Sequence, residues 1–139
     1  MNLLAPVSSI MTADLITVSP TDKLAALKKI FDTHRIHHLP VVDNFQLVGM
    51  VSKSDMLFFV RGMTNNNFEK VLNQTSLATF EAKDIMTKGI AVLEPEDRIG
   101  VALEIFKENL FHAIPIVKGG TLLGIVTTYD IIKNVAEEG

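Results

Sequence analysis

Apolar and polar positions fall in short blocks along the chain, and the blocks come twice. Val48-Gly49-Met50-Val51 leads through Ser52-Lys53-Ser54-Asp55 into a second apolar stretch, Met56 to Val60. Leu123-Gly124-Ile125-Val126 leads in the same way through Thr127-Thr128-Tyr129-Asp130 to Ile131-Ile132. Gly49 and Gly124 lie 75 positions apart, as do Asp55 and Asp130. A constant offset of this kind marks two copies of one unit.

The pattern predicts the same elements in both copies. Ile10-Met11-Thr12 opens the first and Ile85-Met86-Thr87 the second. A short β-prone run follows, Thr17-Val18-Ser19 or Val92-Leu93-Glu94, closed by Pro20 or Pro95. Proline cannot donate to a ladder and readily precedes a helix. A helix is expected from about Asp22 to Thr33, with Leu24, Leu27 and Phe31 on one face and Ile30 beside them. Ile99, Ala102 and Phe106 repeat that face. Two strands come next, Leu39 to Val42 with Leu47 to Ser52, and Ile114 to Val117 with Leu122 to Thr127. Their turns are expected at Asp43-Asn44 and Lys118-Gly119-Gly120. Pro40 and Pro115 suggest edge or bent strands. A second helix starts near Ser54 and near Tyr129.

The expected fold is α/β (α+β), two tandem β-α-β-β-α repeats over residues 8–62 and 83–138, joined by a linker over 63–82. Phe68, Val71 and Leu72 could form a packed helical turn in that linker. Units of roughly 55 to 60 residues are marginal alone, so the two should pack on each other with pseudo-twofold symmetry.

Composition narrows the function. The chain has 139 residues, 47% hydrophobic, with a net charge of −3 from 13 basic and 16 acidic side chains. That argues against nucleic acid, which wants a basic excess and, for single strands, more stacking rings than 6% aromatics provide. With no cysteine, disulfides, thiolate metal sites and cysteine nucleophiles are excluded. No apolar run is long enough to span a bilayer, and the opening residues do not read as a signal peptide, so a soluble cytoplasmic protein is expected. No catalytic constellation is legible, and no metal motif.

Ile-Met-Thr, Val-x-Pro, His-x-Leu-Pro-Val-Val-Asp and Gly-x-Val-Ser-x-x-Asp, in that order and repeated, resemble the cystathionine β-synthase (CBS) domain. Two such domains in tandem form a Bateman module, and the likeness runs from about Ser8 to Ala136. It implies a stand-alone regulatory binder of AMP, ADP, ATP or S-adenosylmethionine in clefts between the repeats, with no required cofactor. It also implies a homodimer and a separate downstream protein that reads the bound state.

The resemblance places Asp55 and Asp130 on the ribose hydroxyls, with Ser52 and Thr127 near the phosphates. A carboxylate can accept both hydrogen bonds of a vicinal diol, and a helix start attracts anions. The same Ser-x-x-Asp spacing also makes a capping box. His37, His38, His112 and Lys53 are the further phosphate candidates. Arg35-Ile36-His37-His38-Leu39-Pro40 is similar to a stretch of the AMP-activated protein kinase γ subunit, where a His-Arg pair meets phosphate. His37 takes the place of that His and His38 that of the Arg, while Ala113 stands there in the second copy. The alternative is a solvated helix end, where cations are favoured in any case. Ile16, Thr17, Ile36, Ile90, Ala91 and Phe111 would wall the adenine, or serve as ordinary core. Phe58 and Phe59 extend a run too long for one helix face, which points to a dimer interface or to cover by the linker. A scaffold with empty or degenerate clefts is the alternative function.

Overall fold

The computed structural model describes residues 1–61 and 76–138. Phe68, Val71 and Leu72 lie outside them. The described elements are α1 (Leu24–Thr33), β1 (His38–Asp43), β2 (Gln46–Ser52), α2 (Lys53–Arg61), α3 (Ala82–Ile85), α4 (Ile99–Lys107), β3 (Ala113–Lys118), β4 (Thr121–Thr127) and α5 (Thr128–Glu138).

The chain divides into two compact units. The repeat-1 unit is Ile16–Asn44 with Val48–Lys88, and the repeat-2 unit is Met1–Leu15, Phe45–Leu47 and Gly89–Gly139. Each Ile-Met-Thr segment thus belongs with the copy that it does not open. The backbone bonds show why. Thr12 pairs with Ile125 of β4 through two bonds of 2.9 Å, and Thr87 pairs with Met50 of β2 through bonds of 2.9 and 3.1 Å.

The repeat-1 core is built from Leu24, Leu27 and Phe31 of α1, Leu39 and Val41 of β1, Val51 of β2, Met56 of α2, and Val18 and Ala82. The helical period foretold that face of α1. Full burial of Leu24 and Leu27 contributes about 1.5–3 kcal/mol each. Leu77, Phe80, Ile85 and Met86 pack against the same core, so the end of the expected linker is structural. In the repeat-2 unit, Val7, Leu93, Ile99, Ala102, Ile114, Ile116 and Val126 form the core. There β3 and β4 pair antiparallel from Ala113↔Thr127 to Lys118↔Thr121, with an irregularity between Ile116 and Val117. Gln46, at the start of β2, pairs antiparallel with Thr121.

The expected elements shift in three places. The first strand of each copy shrinks to one parallel bridge, Val18↔Val41 and Leu93↔Ile116. These bridges flank β1 and β3, whose Pro40 and Pro115 still accept through their carbonyls from Val18 and Leu93. Helix α1 starts at Leu24 rather than Asp22, because Asp22 turns back to accept the Ser19 N–H at 2.8 Å. The first hairpin turns on Asn44-Phe45, one residue later than expected, with φ of 51° and 68°. Gly119 and Gly120 hold the matching left-handed turn in the second copy. That backbone fits the twist of a two-residue hairpin, but an aromatic residue rarely adopts it.

Candidate functional site

The Ser/Thr-x-x-Asp stretches sit where β2 passes into α2 and β4 into α5. Both form reciprocal capping boxes. The Ser52 N–H donates to Asp55 Oδ2 at 2.9 Å, and the Asp55 N–H donates to Ser52 Oγ at 3.0 Å. The Thr127 N–H donates to Asp130 Oδ2 at 2.8 Å, and the Asp130 N–H to Thr127 Oγ1 at 3.2 Å. The Thr127 hydroxyl also donates to Oδ2, at 3.1 Å. Capping is therefore realised in both copies. It does not exhaust the carboxylates, since Asp55 and Asp130 both remain half-exposed.

The histidine turns are fastened to these helix starts. The Lys53 N–H donates to the His37 carbonyl at 2.8 Å, and the Thr128 N–H to the His112 carbonyl at 3.1 Å. Each unit so brings together a candidate phosphate turn and a candidate ribose carboxylate. His37 and His112 are exposed, and His38 is half-buried at the first position of β1. His112 Nε2 lies 3.0 Å from Asn109 Oδ1. His34 sits apart, with Nδ1 near the Thr33 hydroxyl and the Ile30 carbonyl at the end of α1. Among the described residues, no group of three or more His, Cys, Asp or Glu could hold a metal.

The bridges at Val18 and Leu93 lay the segments of Ile16-Thr17 and Ile90-Ala91 beside β1 and β3. Ile16 and Ile36 are half-buried and pack on the repeat-1 core, while Thr17 is exposed. Ile90, Ala91 and Phe111 are half-buried. Sequence reasoning missed two residues. Thr12 donates through its hydroxyl to Asp130 Oδ1 at 3.3 Å, and Asn109 meets His112. The signal for Thr12 was present, because the Ile-Met-Thr stretch recurs with the Asp at the same offset. Nothing local tied Thr12 to a residue so far along the chain.

The CBS domain family model matches residues 7–62 and again 82–137. The chain belongs to the CBS domain family. Like other CBS pairs, it has the fold of a regulatory module, and solved CBS pairs share that fold closely. CBSX2 in complex with AMP matches at a TM-score of 0.76 and 25% identity, covering 96% of this chain and 98% of that one. The CBS domain pair of protein MJ0100, in complex with 5′-methylthioadenosine and S-adenosylmethionine, matches at 0.74 and 25% identity, covering 98% and 99%. The inosine-5′-monophosphate dehydrogenase of Methanocaldococcus jannaschii is 32% identical over 126 residues. That match takes in 89% of this CBS pair but only 22% of the dehydrogenase. Among the described residues, no helix is long and apolar enough to cross a membrane.

Proposed function

We propose that this CBS pair is a non-enzymatic sensor of an adenosyl ligand, AMP, ADP, ATP or S-adenosylmethionine. Asp55 and Asp130 take the ribose. Ser52, Thr127, Lys53, His37, His38 and His112 lie toward the phosphates. Ile16, Thr17, Ile36, Ile90, Ala91 and Phe111 wall the base. One observation carries the reading: in both units a half-exposed carboxylate, fixed by its capping box, stands on a helix whose first residue donates its N–H to the carbonyl of the histidine turn. The complexes of CBSX2 with AMP and of MJ0100 with S-adenosylmethionine support that ligand class. Ligand favours one of two arrangements of the protein, and a separate protein reads the difference.

The test is thermal unfolding with AMP, ADP, ATP, S-adenosylmethionine, GTP and NADH, beside the double variant Asp55→Ala/Asp130→Ala. A ligand of the native state at a hundredfold over its Kd adds about 2.7 kcal/mol. Stabilisation by an adenosyl compound is expected in the wild type and not in the variant. The variant should also lose about 1 kcal/mol per site without ligand, from the carboxylate's bond to the Ser52 or Thr127 N–H. If none of the compounds stabilises the wild type, the sensor reading is wrong.

A second reading, a dimeric interaction scaffold, is favoured by the exposed apolar side chains of α2 and α5. Leu57 and Phe58 of α2, and Tyr129, Ile132 and Val135 of α5, all stand in solvent. A homodimer through these helices serves either reading.

A further inference from the structure

We propose that Thr12 occupies the Asp130 carboxylate in place of ligand, so that the two copies bind an adenosyl compound unequally and Asp55 is the stronger acceptor. The proposal rests on the adenosyl reading above, and goes beyond it by naming the residue that sets the difference.

The two threonines at matching positions are held alike by the backbone. Thr12 is bonded to Ile125 of β4, and Thr87 to Met50 of β2. Met11 lies against Gly124, and Met86 against Gly49. Of these two threonines, among the described residues, Thr12 alone directs its hydroxyl at a carboxylate, Oγ1 to Asp130 Oδ1. Among the described residues, nothing donates to Asp55 Oδ1.

The consequence follows from acceptor capacity. An ionised carboxylate offers about four lone-pair positions. Among the described residues Asp55 uses one of these, on the Ser52 N–H. Asp130 uses three, on the Thr127 N–H, the Thr127 hydroxyl and the Thr12 hydroxyl. A ribose brings two donors on adjacent carbons. Asp55 can accept both without giving anything up. Asp130 has room for one, and must release Thr12 to take the second. Since one hydrogen bond to a charged group is at stake, the Asp130 event should be about tenfold weaker.

The experiment is calorimetric titration of the full chain with AMP and with S-adenosylmethionine. The proteins are wild type, Asp55→Asn, Asp130→Asn, Thr12→Val, Thr12→Ser and Thr87→Val. Two unequal events are expected in the wild type, the tighter one lost in Asp55→Asn and the weaker one in Asp130→Asn. Thr12→Val should tighten the weaker event about tenfold toward the other, whereas Thr12→Ser, which keeps the hydroxyl, and Thr87→Val should leave the ratio as it was. Unfolding midpoints of the variants confirm that each is folded. If the wild type binds and Thr12→Val leaves the weaker event unchanged, the proposal fails while the adenosyl reading stands. If Thr12→Val weakens that event, Thr12 positions Asp130 for ligand, and the proposal is overturned. If the wild type takes up neither compound, the adenosyl reading falls and the role of Thr12 falls with it.

Discussion

Glycine at positions 49 and 124 answers to a methionine from a distant part of the chain. A Cβ on Gly49 would stand 2.6 Å from the Met86 sulfur and 3.1 Å from the Thr87 carbonyl oxygen. A Cβ on Gly124 would stand 2.6 Å from the Met11 sulfur and 3.0 Å from the Thr12 carbonyl oxygen. The sulfur is on a flexible side chain, but the carbonyl belongs to the bridge that fixes the segment. Gly49→Ala and Gly124→Ala should each therefore lower stability by about 1–3 kcal/mol, read from urea unfolding. An unchanged midpoint would mean that the Ile-Met-Thr segments are not seated this closely. The glycines were conspicuous in the sequence as repeat markers. Their physical reason was not, since it lies in a partner tens of residues away.

At the scale of the element, α2 shows how five consecutive apolar residues are shared out. Met56 is buried and Phe59 meets Phe80 edge to face, with ring centroids 5.3 Å apart. Leu57 and Phe58 point outward, Phe58 with 82% of its surface exposed. The run was legible as too long for one face; that Phe59 finds its partner in Phe80 was not. Phe59→Ala should lower stability by about 3 kcal/mol. If the proposed homodimer forms through α2 and α5, Phe58→Ser with Ile132→Ser should leave the unfolding midpoint close to wild type and shift the sedimentation of the protein toward the monomer. A sedimentation profile equal to wild type would remove these helices from any self-association.

The end of β3 carries a pH signature. Lys118 reaches Glu96 at 2.9 Å and Glu94 at 3.5 Å. Its hydrogen bond holds the Glu96 carboxyl below the usual carboxylate range, helped by a backbone bond, and Glu96 in turn holds the Lys118 ammonium above its ordinary value. A lowered carboxyl supports the fold above its unfolded-state value and loses that support as pH falls through its folded value. A raised ammonium supports the fold below its unfolded-state value and loses that support as pH rises through its folded one. The contribution is thus level near neutrality, and small because the groups are exposed. Lys118→Met should unfold slightly earlier than wild type at pH 7. The gap should close as acid or salt is added, as thermal scans across pH would show.

Over the whole molecule, the consequential feature is the exchange of opening segments. Val7 is fully buried, and Ile10 and Met11 pack on the repeat-2 core. The Val7 N–H bonds the Asp97 carbonyl at 2.7 Å. The start of the chain is also tied to its far end through the Met1 amine and Glu138. Removing residues 1–12 should therefore loosen the repeat-2 unit although that unit's own repeat is intact. Hydrogen exchange should quicken in β3, β4 and α4 more than in β1 and α1. Equal protection in both units would contradict the exchange.

What the sequence determined by itself is the local and the periodic. The buried face of α1, the hairpin strands of each copy and the Ser/Thr-x-x-Asp helix starts follow from spacing within a few residues, and the two copies follow from the recurrence of that pattern 75 positions on. Helix and strand periods and caps act over that range. Tertiary structure decided whatever pairs residues distant along the chain. It reduced each first strand to one bridge and drew residues 76–80 into a structural role. It sent each Ile-Met-Thr segment to the other repeat's unit and aimed Thr12 rather than Thr87 at a carboxylate. A repeated sequence carries no mark of which copy's strand a segment will join, because both copies offer the same backbone edge and the same glycine. Only the closed fold chooses between them.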